Sequence, residues 1–412
     1  MNAIRLAAAI FFVVLASKTC NSAMGQDAGL VANVHQTDSG EHSAYLTDAQ
    51  NVPALDLAPD EQKLTSRSMT NSQAYGFGAY DRPFCSDPFP RFYFQVGALL
   101  FQQAPQFDRQ PIVVDNNNNN TLLSTSDFDS TFNPGLQATV GGRFANGRVV
   151  EFDYMGLYGG SESSAAANAD PNAFLIFPNN LAGNVFVDMD RVQVDHSTSF
   201  SSFALNALSG GGSSDVKCGA GCSEIGCGKG GCGKGGCGDV HCQSLSWFAG
   251  FRYIDFSDRL NISAQRIVGG MVENGTYNTT TDNNLYGAQL GARWRRTSGR
   301  FGWDATGFGG IFYNDASQTQ SVTDFPNFAI RPTVSDDKGE VAFAGGGSLS
   351  ALYSLNNVWN LRTGYSVLWI EDLALAPNQL DFNFSAAQSG SQLHNDGSLL
   401  LHGLTAGLEA RW

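Results

Sequence analysis

Residues Tyr286 to Arg295 read YGAQLGARWR. One parity carries Tyr286, Ala288, Leu290, Ala292 and Trp294, and the other carries Gly287, Gln289, Gly291, Arg293 and Arg295. Successive side chains of a strand point to opposite faces, so this spacing predicts a β-strand with one apolar, aromatic-bracketed face and one polar, glycine-rich face. The final segment repeats it: Leu404, Ala406, Leu408, Ala410 and Trp412 alternate with Thr405, Gly407, Glu409 and Arg411. So do Val150, Phe152 and Tyr154 against Glu151 and Asp153. In a soluble sandwich such glycines would leave the inner face thinly packed. A barrel in a membrane turns apolar residues to lipid and lines its inside with polar residues and glycine. Backbone groups in lipid must all be paired, which requires the sheet to close. The expected fold is therefore all-β, an antiparallel up-and-down transmembrane barrel.

Composition agrees. Among 412 residues there are 47 glycines and 29 phenylalanines, and only 15% are charged. The 24 basic and 38 acidic residues give a net charge of -14, which argues against a nucleic-acid partner held by phosphate contacts. The N-terminus reads as an export signal over residues 1–25, with Arg5, an apolar run from Leu6 to Ala16 and the small-x-small site Ala23-Met24-Gly25. That run is too short to span a bilayer. Residues 26–90 are polar and aperiodic and are expected to form a flexible lead, leaving 91–412 as the barrel.

Connection lengths test the topology. Strands are expected near 91–102, 135–145, 148–160, 195–208, 244–266, 283–296, 300–314, 340–354, 358–371 and 398–412, about ten in all. Asn146-Gly147, Ser298-Gly299 and Asn356-Asn357 suit tight turns, and long polar stretches near 103–134, 161–194, 267–282, 315–339 and 372–397 suit loops. All the long stretches then fall on one side and the tight turns, with both barrel termini, on the other, the expected periplasm. The connection 209–243 is an insertion on the turn side.

Three separated motifs carry a resemblance. Trp247-Phe248-Ala249-Gly250-Phe251-Arg252-Tyr253-Ile254, Asp282-Asn283-Asn284-Leu285-Tyr286-Gly287-Ala288-Gln289-Leu290-Gly291, and Gly364 to Ile370 followed by Pro377-Asn378-Gln379-Leu380-Asp381 resemble β-barrel porin family 7 of planctomycete bacteria. The aromatic opening Arg91 to Phe94 fits its first strand, and the likeness runs over 91–412. It implies an outer-membrane barrel acting as a porin, with no catalytic residues and no cofactor. Leu375-Ala376-Pro377-Asn378 departs from the Arg-Pro-Gly-like stretch of the family, and the cysteine insertion is no part of its pattern.

Parity places Arg143, Glu151, Asp153, Arg252, Arg293, Arg295, Asp304, Arg362, Glu409 and Arg411 on the inward face. They could select small solutes or ions by charge, or fill a narrow lumen as paired ions. Inward glycines such as Gly287, Gly291, Gly364 and Gly407 are expected to leave room for water. A non-conducting structural or adhesive barrel with long surface loops is the alternative. Catalysis would need a base: of six histidines, His196 beside Asp195 and His394 near Asp396 have carboxylate neighbours within the barrel sequence, which is too little to argue an enzyme. The outer-membrane lipid is the one partner the pattern requires; the oligomeric state is not readable.

The insertion holds Cys218, Cys222, Cys227, Cys232, Cys237 and Cys242 with His241 beside the last, among glycines and lysines. Such a segment has almost no side chains to bury, so covalent or metal links are its route to order. An exported location favours disulfides, the thiol spacing also suits a soft metal, and attachment to an envelope partner is the third reading.

Overall fold

The computed structural model describes residues 90–412 apart from 107–108, 118–119, 129–131, 145–147, 169–173, 179–183, 210–216, 220–240 and 384–389. The expectations for 1–89 and for Cys222, Cys227, Cys232 and Cys237 lie outside the described residues. The strands are β1 (Phe92–Gln106), β2 (Pro111–Asp115), β3 (Thr121–Ser124), β4 (Phe132–Arg143), β5 (Val149–Ala167), β6 (Leu175–Ile176), β7 (Arg191–Leu208), β8 (Lys217–Gly219), β9 (His241–Val268), β10 (Met271–Ser298), β11 (Phe301–Asp324), β12 (Phe328–Ser354), β13 (Trp359–Leu373) and β14 (Gly397–Arg411). Helix α1 is one turn, Asn184–Val187.

Among the described residues ten strands close into one antiparallel barrel, in the order β1-β4-β5-β7-β9-β10-β11-β12-β13-β14 and back to β1. Closure is made where Tyr93 pairs with Arg411, and Phe92 and Trp412 exchange backbone bonds of 2.9 and 3.0 Å. Sequence neighbours pair throughout, as an up-and-down barrel requires. One end of the barrel carries the β4–β5, β10–β11 and β12–β13 turns, the long β7–β9 connection and both barrel termini; this is the turn end. At the other, the loop end, β2, β3 and β6 form a small separate sheet.

Every strand falls at its expected place, but several run further. The stretches 267–282 and 315–339 are not loops: β9 and β10 meet in a Gly269-Gly270 turn, at φ of 59° and 84°, and β11 and β12 continue to Asp324 and Phe328. The physical reason is visible on β9. Outward residues run Leu245, Trp247, Ala249, Phe251, Tyr253 and then Asp255, Ser257, Arg259, Asn261, Ser263. Inward residues are Ser244, Ser246 and Arg252 beside the first set, and Ile254, Phe256, Leu260 and Ile262 beside the second. The face polarity reverses past Tyr253, so the lipid-facing alternation ends while the strand continues. From Leu245 to Tyr253, at about 3.3 Å per residue and a tilt of roughly 40°, the apolar band is about 20 Å tall. Bilayer-spanning barrels carry a band of about 25 Å.

Three layers fill the inside. The turn-end layer is charged. Above it lies an apolar layer that includes Phe101, Phe200, Phe256, Leu285, Phe312 and Leu401, each at most 4% exposed. The uppermost layer is a second apolar core in which Ile112, Leu175, Phe177, Phe186 and Met189 from the loop-end elements pack on Val192, Leu260, Ile262 and Tyr277 of the strands.

Candidate functional site

In the turn-end layer the charged side chains are turned inward by strand parity, and most of them form ion pairs. The Arg293 guanidinium donates to both Glu151 oxygens, at 2.7 and 2.8 Å, from 142 positions away in sequence. Tyr93 donates its hydroxyl proton to the same carboxylate. Arg295 donates to Asp304 at 2.8 Å and to both oxygens of Glu409 at 3.0 and 3.2 Å. Arg362 donates to Asp304 at 3.0 Å, and Arg411 pairs with Glu409. These carboxylates are almost wholly buried, so the layer depends on the pairing: a carboxylate left there without its arginine would face the cost of desolvation alone.

Asp153 and Arg252 are brought to the same layer but not to each other. Asp153 accepts from Thr139 and Asn206, both at 2.8 Å. Arg252 donates to Gln289 at 2.7 Å and Ser202 at 2.8 Å, and its guanidinium lies 4.3 Å from the centre of the Phe308 ring. Gln289 closes the circuit by donating to Asn206 at 2.6 Å. Arg143 keeps inward parity but ends β4 at the turn, half-buried; neither it nor the buried Asp304 lines the cavity that the other eight predicted residues line. That cavity is about 180 Å³, with Phe101, Phe248 and Phe308 among its apolar walls.

At the inward Gly287 and Gly291 the space is taken by aromatic rings rather than left for water. A Cβ on Gly287 would stand 2.5 Å from the Phe312 ring, and one on Gly291 2.2 Å from the Phe248 ring. These glycines let aromatic rings lie flat against the wall, which narrows the lumen.

Closure is completed by chain from the 372–397 stretch. After β13, Leu373, Ala374, Leu375 and Ala376 turn into the barrel with no exposed surface, followed by a 3-10 turn at Ala376–Gln379. Inward polar side chains of four strands hold this segment. Asn283 donates to the Ala374 carbonyl and accepts from its N–H, both at 2.8 Å. Asn314 donates to the Asp372 carbonyl at 2.9 Å. Asp258 accepts from the Ala376 N–H at 3.0 Å, and the Tyr277 hydroxyl bonds both N–H and C=O of Asp381. Arg331 donates to Tyr277, Gln320 and the Asp381 carbonyl. Asn283 of the Asp282-Asn283-Asn284 motif thus meets Ala374, just ahead of the Pro377-to-Asp381 motif, inside the barrel. The signal for this is the polar inward parity of β10 and β11, with Thr279, Thr281, Asn283, Asn314, Gln318 and Gln320 all buried.

His196 does not pair with Asp195. Its ring stands 2.6 Å from the Asp258 carboxylate on β9, in the loop-end half, with both side chains buried. Burial opposes charging the imidazole, but the field of Asp258, its hydrogen bond and Glu162 outweigh this and hold the His196 pKa above its ordinary value. His402 faces outward and meets the Tyr365 hydroxyl at 2.6 Å. In the insertion, backbone register puts Cys218 opposite Cys242 on β8 and β9. No cluster of three metal-ligating side chains exists among the described residues.

The family model described as "Putative beta barrel porin-7" matches residues 98–309, more than half of the chain, and the chain belongs to that family. Fold and family make it a porin-like β-barrel of the outer membrane. No curated protein sequence matches it. Solved structures similar to it include the outer membrane protease OmpT of Escherichia coli, at 7% identity and TM-score 0.40, covering 78% of this chain and 96% of that one. The toluene transporter TodX of Pseudomonas putida has 9% identity and TM-score 0.20, covering 79% and 92%. An anion-selective porin from Comamonas acidovorans has 10% identity and TM-score 0.11, covering 77% and 98%.

Proposed function

We propose that this porin-7 barrel stands in the outer membrane with its turn end in the periplasm and its lumen closed to ions and small solutes at rest. The observation that carries this is the apolar layer across the lumen, with Leu373 and Leu375 seated in it. Water and ions cross an apolar constriction poorly, because neither finds hydrogen-bond partners there. The charged residues on the turn side are then the vestibule of a shut pore. Their five arginines (Arg252, Arg293, Arg295, Arg362, Arg411) against four carboxylates (Glu151, Asp153, Asp304, Glu409) would favour anions once it opened. Opening requires the Leu373–Phe382 segment to leave, and its polar ties to Asp258, Tyr277, Asn283 and Arg331 are exchangeable for water. Among the described residues the His196–Asp258 pair is the candidate for catalysis, and Asp258 spends its second oxygen on the Ala376 N–H, so we read that pair as a fastening and the chain as a non-enzyme.

A second reading is a barrel that never conducts and serves to present its loop-end structure at the cell surface. The strand extensions beyond the apolar band, with polar outward faces on β9 to β12, favour it. Planar-bilayer recording separates the two. The wild type is expected to be silent, and a variant with residues 374–382 replaced by a short glycine-serine link is expected to give ohmic steps. A silent but folded variant would leave the display role; a conducting wild type would refute the closed rest state.

A further inference from the structure

We propose that the turn end of the barrel binds anionic phospholipid headgroups through a collar of arginines set against its aromatic girdle. Of the six tryptophans, Trp247, Trp294, Trp303, Trp359 and Trp412 lie at the turn end, where Phe92, Phe144 and Phe301 are also exposed. Around them stand four exposed arginines, Arg91, Arg148, Arg296 and Arg300. Arg296 follows Trp294 by two positions on the same outward face of β10, Arg300 occupies the turn just before Phe301, and the Arg91 guanidinium lies 5.8 Å from the Phe92 ring centre.

No aspartate or glutamate side chain is exposed at this end among the described residues: Glu151, Asp304 and Glu409 point inward and are at most 2% exposed. The opposite boundary of the apolar band is built the other way, with Asp255, Asp282, Asp315, Asp337 and Glu371 on outward parity. Both rims meet an interface, so position in the bilayer alone does not account for the arginines. Tryptophan settles at headgroup depth, which puts a neighbouring guanidinium level with the lipid phosphate, and a guanidinium binds a phosphate through two parallel N–H bonds. The side chains border the lipid-facing wall, which favours a lipid over a soluble polyanion.

The inference rests on the apolar band lying in a bilayer, and its test reads lipid preference, so a failure here leaves the conductance result standing. The full chain, folded into nanodiscs of phosphatidylcholine with a minor share of phosphatidylglycerol, would be released in detergent and its retained lipids counted by native mass spectrometry. The expected result is enrichment of phosphatidylglycerol, lost in Arg148→Gln/Arg296→Gln/Arg300→Gln and retained in Arg259→Gln, an exposed loop-end position. Each basic residue at an anionic surface changes the preference roughly fivefold, so Arg296→Gln alone should show a measurable drop even if the triple variant folds poorly. Heat-modifiable gel mobility confirms folding of each variant. Absence of enrichment, equal loss in Arg259→Gln, or complete displacement by inorganic phosphate would overturn the proposal.

Discussion

On β9, Trp247 and Phe251 face outward with Ser246 and Arg252 behind them, whereas a few residues further on Arg259 and Asn261 face outward with Leu260 and Ile262 behind. The strand, its partners and its twist are continuous across that change. What changes is the medium outside. Against lipid the apolar side chains belong outside and the charges must find one another within; against water the ordinary rule of a buried apolar core returns. One chain segment thus obeys two opposite patterning rules, and both are needed to close the lumen: paired ions fill the lipid half, apolar side chains fill the other.

The strongest break of this comparison is in the charged layer. Glu151→Gln leaves Arg293 without its bidentate carboxylate and should destabilise the barrel by about 3–5 kcal/mol. Urea unfolding in detergent checks it; a change below about 1 kcal/mol would mean that the lumen there is solvated rather than filled.

One chemical change can be placed in both halves. Ile262→Ala, inward and fully buried in the loop half, should cost about 2–5 kcal/mol through the void it leaves. Ile311→Ala, outward in the apolar band and 61% exposed, should cost under about 1 kcal/mol because lipid fills the space. Leu290→Arg, midway between Tyr286 and Trp294 on the outward face of β10 and 70% exposed, reverses that tolerance, with about 2–4 kcal/mol expected near the middle of the band. Equal costs for the two alanine variants in vesicles would deny that lipid ends between these positions.

The smallest expected effect is a pH dependence confined to the loop half. Because the His196 pKa is raised on folding, the stability it contributes is fully present below its ordinary value and is lost as pH rises through the raised one. The thermal midpoint should therefore fall modestly between pH 6 and pH 9, and His196→Gln should flatten that fall. An unchanged slope in the variant would show that other groups carry it.

The two rules also explain what could be read from the sequence. In YGAQLGARWR lipid lies on one side and charge on the other, so parity alone places Arg293 and Arg295 inside, where they are found. From Met271 to Asp282 and from Asp315 to Asp324 the outward face is polar and the inward face includes Thr279, Thr281, Gln318 and Gln320, all buried, so the contrast between faces vanishes and the strands pass for loops. Among the inward polar residues of these strands, Asn283, Asn314 and Gln320 donate to carbonyls of the chain from Asp372 to Gln379, backbone that fills part of the lumen and needs hydrogen-bond partners that apolar walls could not supply. Nor could parity pair Glu151 with Arg293, since contact across a lumen depends on barrel closure rather than on spacing.

The central claim is that the lipid boundary crosses β9 just beyond Tyr253. Nitroxide labels placed one at a time at the outward positions 247, 249, 251, 253, 255, 257, 259, 261 and 263, with the native cysteines replaced by serine and the protein in vesicles, would measure it by collision with oxygen and with a water-soluble nickel chelate. Oxygen should dominate from 247 to 253 and nickel from 257 onward. Oxygen dominance as far as 263, or nickel dominance throughout, would contradict the account.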